Sequence, residues 1–158
     1  MGTRRHAREL AMQALFSMDM NTDYSTRAVD EYCRSFPPNQ RVYPYFHHLV
    51  IGVLEHKVHI DTVIERYANN WRIKRMACVD RNVLRLAVFE LLYCADIPAK
   101  VAINEAIDIG KKFGTPETGS FINGIIDGIR IAIVKGQLET ISLPQPAEED
   151  PEVVADES

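Results

Sequence analysis

The chain has 158 residues, 46% of them apolar, which allows one compact domain or two small subdomains sharing a core but no membrane helix, since no apolar run approaches ~18 residues. Its charged start, Met1-Gly2-Thr3-Arg4-Arg5, leads into no apolar segment, and its three cysteines, Cys33, Cys78 and Cys94, are widely spaced; this excludes a secretory signal, a disulfide framework and a clustered zinc site, and predicts a cytoplasmic chain with reduced thiols. The net charge of −4 is unevenly spread: six acids and no Lys or Arg lie in residues 144–158, so the body carries a small positive excess.

Helical periodicity runs through the chain, and no segment alternates as a strand does. Ala7, Ala11, Ala14, Leu15 and Met18 recur at spacings of three and four, which predicts a first helix from Thr3 to Met20. A second begins near Thr26, turns Val29, Tyr32, Cys33 and Phe36 inward, and stops before Pro37-Pro38, because the second proline disfavours helix at the first. Pro44 suits the first turn of a third helix with Phe46, Leu49, Val50 and Val53 on its core side. A bend near His59 leads into a fourth, carrying Ile60, Val63, Ile64 and Tyr67. Asn69-Asn70-Trp71 is a break.

The segment Val79–Tyr93 is apolar around much of its circumference and is expected to be the buried central helix. Asp96-Ile97-Pro98 opens a sixth helix that reaches Phe113, with Gly114 capping its end and Thr115-Pro116 preventing continuation. The last runs from about Thr118 to Lys135, with Gly136 as its C-terminal cap. The fold class is therefore all-α, about seven helices, over residues 1–136, with a seam near Trp71 dividing subdomains 3–70 and 71–136. Residues 137–158, rich in proline and acid, are expected to form a disordered tail, because they hold too little apolar surface to offset ordering entropy.

Three arginines in the first two turns, Arg4, Arg5 and Arg8, conflict with the partial positive charge at a helix N-terminus, and Arg4 and Arg8 repel at i, i+4. Glu9 pairs with Arg5 on helical spacing but does not offset the cluster. Two readings stand: a polyanion-binding helix end, to which His6 adds charge below neutral pH, or a solvated charged start.

No phosphate loop, nucleophile elbow or dinucleotide fingerprint is present, so no catalytic residue and no cofactor are expected. His48, His56 and His59 lie at helical offsets but lack the arrangement that places two ligands and a base on one turn; a polar helix face is the favoured reading, with no metal. Asp80, Glu90, Glu105 and Asp108 read as surface pairs, and Asn104 and Asn123 as buried structural amides.

Four blocks together resemble the NusB transcription antitermination family: Arg4-Arg5-His6-Ala7-Arg8-Glu9 with Gln13-Ala14-Leu15-Phe16 behind it, Val79-Asp80-Arg81-Asn82-Val83-Leu84-Arg85, the run Ile97 to Ile107 containing Val-Ala-Ile-Asn-Glu-Ala, and Phe121-Ile122-Asn123-Gly124-Ile125-Ile126-Asp127. The resemblance spans roughly Arg4 to Ile133. It implies two three-helix subdomains packed at right angles, and binding to single-stranded boxA-type RNA of ribosomal RNA leader transcripts together with a small-subunit ribosomal protein, NusE, within an RNA polymerase antitermination complex. It also implies either a monomer or a homodimer.

Carried over residue by residue, the resemblance implies RNA contacts at Arg4, Arg5, His6 and Arg8, at the aromatics Phe16 and Tyr67, and at Glu117 and Ser120, where Ser120 stands in place of a common lysine. It implies that Asp80 faces the ribosomal-protein partner. Alternatives of other classes are the NusB-like RNA-binding domain of a ribosomal RNA cytosine methyltransferase, for which the chain has no room for a cofactor domain, and a protein-interaction helical module, which would not need the arginine cluster.

Overall fold

A computed structural model describes residues 2–69 and 71–146. Among them are seven α-helices, one 3-10 turn and no strand: α1 Thr3–Met20, α2 Thr26–Ser35, α3 Tyr43–Glu55, α4 Lys57–Tyr67, the turn Ile73–Arg75, α5 Cys78–Tyr93, α6 Ala99–Phe113 and α7 Thr118–Val134. Local chemistry sets most of these ends. Ser25 Oγ accepts a hydrogen bond from the Ala28 amide at 3.1 Å and caps α2, whereas Pro44 occupies the first turn of α3, where a missing amide costs nothing.

The helices enclose one continuous core. The predicted stripe of α1 is fully used, with Ala7, Ala11 and Ala14 sealed from solvent. Those alanines let α1 approach α3 and α5 closely. Every residue of α5 from Asn82 to Tyr93 is buried, so this helix is the axis of the molecule. On one side it packs against α1, α3 and α4, and on the other against α6 and α7. Residues 114–117 fold α7 back along α6.

The structure revises several local expectations. The α3–α4 bend falls at His56, not His59, because His56 leaves helical geometry (φ −112°, ψ 16°) and stacks its ring on Tyr93 at 4.2 Å. Phe36 is 64% exposed: it lies at the end of α2 with φ −134° and ψ 73°, so its side chain leaves the inward stripe. Gly114 does not adopt the left-handed conformation of a glycine cap; its φ is −100°. Glycine is required there because a Cβ would meet Thr118 and the Gly110 carbonyl oxygen, the latter at 2.7 Å. Gly136, with φ +73°, does adopt the left-handed form.

The segment 137–146 departs from the expectation of a tail disordered from residue 137. Leu138 is buried, the Ile141 amide donates to the Leu92 carbonyl at 2.6 Å, and the Leu143 amide donates to that of Tyr93 at 3.2 Å. The α5 C-terminus leaves carbonyls without helical partners, and this strap satisfies two of them. Leu138, Ile141 and Leu143 were the apolar signal hidden by the prolines and acids around them. The rest of the expected tail, 147–158, lies outside the described residues.

Candidate nucleic-acid interface

The arginine cluster is built from α1 outward. Gly2 precedes the helix without a side-chain cap, and no acid sits in the first turn. The compensation absent from the local sequence arrives from α5 and α6. Arg5 Nε donates to Glu105 at 2.8 Å and its Nη2 to Asp108 at 2.6 Å. Arg8 forms a bidentate pair with Glu90, Nε to Oε1 and Nη2 to Oε2 both at 2.8 Å. Arg4 lies over the Tyr45 ring at 4.6 Å, with Asp96 3.9 Å from its Nη1. Glu9 pairs with Lys112 at 3.0 Å, not with Arg5.

These contacts divide the cluster in two. The Arg8 side chain is 5% exposed and that of Glu90 2%, so the expectation of a surface pair at Glu90 is wrong. A charged pair at this depth holds because the Glu90 carboxylate is well supplied with donors: it accepts twice from Arg8, and the Tyr45 hydroxyl donates to it as well. Burial opposes the charge on Arg8, but the Glu90 carboxylate outweighs it and holds the guanidinium above its ordinary pKa. Burial, then the adjacent Glu90 charge, raises the Tyr45 phenol far above its usual range. A surface ligand reaches Arg8 only by breaking this triad.

Arg4 and Arg5 differ, with side chains 34% and 35% exposed, and His6 is exposed beside them. The hydrogen bonds that Arg5 donates to Glu105, and the Glu105 charge, raise the Arg5 pKa.

Phe16 is half-buried against the core, 11 residues beyond Arg5, so both share a helix face roughly 16 Å apart along the axis. Glu117 and Ser120 are exposed at the start of α7. Asp80, in the first turn of α5, accepts from Thr118 Oγ1 at 2.9 Å and so ties the beginnings of α5 and α7 together. It is half-buried, and this structural bond is one the sequence did not reveal. Tyr67 ends α4 half-buried beside Gly128 of α7. Arg4, Arg5, His6 and Arg8 therefore gather at the start of α1, Asp80, Glu117 and Ser120 where α7 begins beside α5, and Phe16 near the end of α1 and Tyr67 beside Gly128 belong to neither group.

The remaining candidates resolve differently. His48 Nε2 lies 3.6 Å from Cys94 Sγ, His56 stacks on Tyr93, and His59 Nδ1 hydrogen-bonds the Tyr93 hydroxyl. The three histidines thus engage an aromatic cluster, and among the described residues no group of His, Cys, Asp and Glu is arranged to hold a metal. Burial, followed by the Glu90 charge, pushes the Cys94 thiol up to about 12, which leaves it unreactive. Asn104 and Asn123 are exposed, not buried amides, because each falls on the outer face of its helix. Tyr45 and Glu90 are the determinants that sequence patterns did not mark as such, and a lone Glu inside the most apolar helix was the available signal.

No helix of the described residues is long and apolar enough to cross a membrane. The chain is 48% identical over 135 residues to a transcription antitermination protein NusB of Desulfatibacillum aliphaticivorans, covering 85% of this chain and 94% of that one. It superposes on a T. maritima NusB structure with a TM-score of 0.73 at 36% identity, covering 85% of this chain and 97% of that one. A crystal structure of antitermination factors NusB and NusE in complex with dsRNA gives a TM-score of 0.74 at 28% identity, covering 84% and 98%. The NusB family model matches residues 5–130. A match across most of the chain in sequence, together with the same helical fold, establishes that this chain belongs to the NusB family.

Proposed function

We propose that this chain is a transcription antitermination factor that acts by binding, not catalysis, in the cytoplasm. It takes boxA-type RNA of ribosomal RNA leader transcripts, together with a small-subunit ribosomal protein in the NusE role, and joins RNA polymerase. The observation that carries this reading is the likeness, over 84% of the chain, to a NusB solved with NusE and RNA. The geometry supports it in detail. Arg4 and Arg5 present cationic groups at the open end of α1, with the His6 ring exposed beside them, where phosphate finds both side chains and unsatisfied helix amides.

Within this reading Arg4, Arg5, His6, Phe16, Tyr67, Glu117 and Ser120 contact RNA, Arg8 holds the helix that carries the others, and Asp80 lies toward the protein partner. The test is a titration of boxA-type RNA with and without the ribosomal protein, using the parent and an Arg4→Ala/Arg5→Ala variant. The variant is expected to keep its fold, since both side chains are partly solvated. It is expected to bind more weakly, with the slope of log affinity against log salt shallower by ~0.7 per lost contact. Absence of RNA binding by the parent, alone and with the partner, would sink the proposal.

A further inference from the structure

Trp71 is the single tryptophan of the chain and is 54% exposed. It lies edge-to-face with Phe121 of α7, ring centroids 6.3 Å apart and planes at 80°. That geometry leaves an indole surface in solvent instead of in the core. A single exposed aromatic needs no explanation by itself. The charged turn next to it gives this one a role.

The 3-10 turn after Trp71 is anchored from below. Ile73 and Met76, three residues apart, both point into the core, as side chains at that spacing do in a 3-10 helix. The Ile73 amide donates to Glu65 Oε2 at 2.9 Å, which fixes the turn to α4. With both apolar anchors turned inward, Arg72, Lys74 and Arg75 are exposed. None of the three forms an ion pair among the described residues. Many other surface cations do: Arg5 with Glu105 and Asp108, Arg27 with Glu31, Lys112 with Glu9, Arg130 with Asp127. On Lys57 and Arg85 of the neighbouring cleft, the charge is matched by Asp61, and on Arg81 by Asp19. Arg34, Arg41, Arg66, Lys100, Lys111 and Lys135 are also exposed without an ion pair among the described residues, but they stand singly along the chain, whereas Arg72, Lys74 and Arg75 fall within four residues directly after the tryptophan.

An open aromatic face next to unpaired cations on a rigid turn is the chemistry that binds single-stranded nucleic acid: bases stack on the ring and phosphates meet the cations. We infer that the turn from Trp71 to Arg75 is a second RNA-contacting surface of this chain, in which a base stacks on Trp71 while Arg72, Lys74 and Arg75 take the adjoining phosphates. The inference rests on the RNA-binding reading above and adds residues that lie outside the arginine end of α1. An acidic polypeptide would meet the same cations, but it would have no use for a stacking face, so RNA is the occupant favoured.

Trp71 is its own reporter, because no other tryptophan contributes emission. The full chain is titrated with a fluorescein-labelled boxA-type RNA bearing a short single-stranded extension on each side. Polarisation of the label reads binding, and tryptophan emission is followed in a parallel titration with unlabelled RNA. The expected result is quenching of Trp71 with the same midpoint as the polarisation change. Trp71→Ala is expected to weaken binding on the order of tenfold, and Trp71→Phe to restore part of it, since a smaller ring still stacks. Replacing Arg72, Lys74 and Arg75 with Ala is expected to make the salt slope shallower by ~0.7 per lost contact.

Full polarisation change with unaltered Trp71 emission, and an unaltered Trp71→Ala affinity, would overturn this surface and leave RNA binding at α1 standing. No polarisation change in the parent would overturn the RNA-binding reading and this inference with it. Emission that responds to poly-glutamate as strongly as to RNA would give the turn to an acidic polypeptide and overturn the assignment to RNA.

Discussion

Arg8 and Glu90, 82 residues apart, meet in a buried bidentate pair that joins α1 to the central helix. Arg8 belongs by position to the basic cluster of α1 and by environment to the core. Arg8→Ala is therefore expected to destabilise the fold by about 3–5 kcal/mol, because it leaves Glu90 buried with only the Tyr45 hydroxyl. Replacing both partners, Arg8→Met with Glu90→Leu, is expected to recover most of that loss, since the cost arises from the orphaned charge. Chemical denaturation of the three proteins checks this, and an Arg8→Ala variant as stable as the parent would show the pair to be dispensable.

Asp19 sets a limb of the acid stability. Burial raises its pKa, but hydrogen bonds from Arg81, Tyr24 and Asn82 and the Arg85 charge outweigh burial and hold the carboxyl well below its ordinary range. A carboxyl depressed in the folded state contributes stability that is fully present above its unfolded pKa of about 3.9 and is lost as pH falls toward the folded value. Asp19→Asn is expected to be less stable than the parent by a constant amount above about pH 5, with the difference shrinking below about pH 4. A difference independent of pH down to about pH 2 would show that the cluster does not depend on this charge.

Gly52 of α3 lies directly against the Phe89 ring of α5. An ideal Cβ there would lie within 3.0 Å of three ring carbons of Phe89. Gly52→Ala improves helix propensity by about 1 kcal/mol, whereas overpacking costs about 1–3 kcal/mol. The clash is expected to win, because Phe89 is fully buried and packed against the rings of His48, His56 and Tyr93. A lower thermal midpoint is the measured outcome; a higher one would show that the ring can yield.

Asp80 separates two roles by choice of substituent. Asp80→Asn keeps an oxygen able to accept from Thr118, so α5 and α7 stay joined, but removes the charge. It is expected to hold the thermal midpoint within a few degrees while, on the proposal that Asp80 lies toward the ribosomal-protein partner, weakening binding of that partner. Asp80→Arg is expected to lower both, since it also breaks the Thr118 bond. Partner affinity unchanged in Asp80→Asn would confine Asp80 to its structural bond.

Helix number, order and most boundaries were legible in the sequence, because periodicity, prolines and caps act over a few residues and leave a local trace: α1 begins and ends where Ala7 to Met18 imply, and α2 stops short of Pro37-Pro38. The family could be recognised because its motifs are contiguous runs. What became of each charge was not legible. Arg4, Arg5 and Arg8 are close neighbours on one helix, yet one is sealed against Glu90 and two remain partly solvated. Glu90 looked like a surface acid and Asn104 like a buried amide, and each proved the reverse. The pairing energy of a charge depends on what tertiary packing brings within a few ångströms and on how much water that packing removes, and neither quantity is a property of local sequence. The helices were written in short-range pattern; the division of the arginines between core and surface was decided only when α5 and α6 closed over α1.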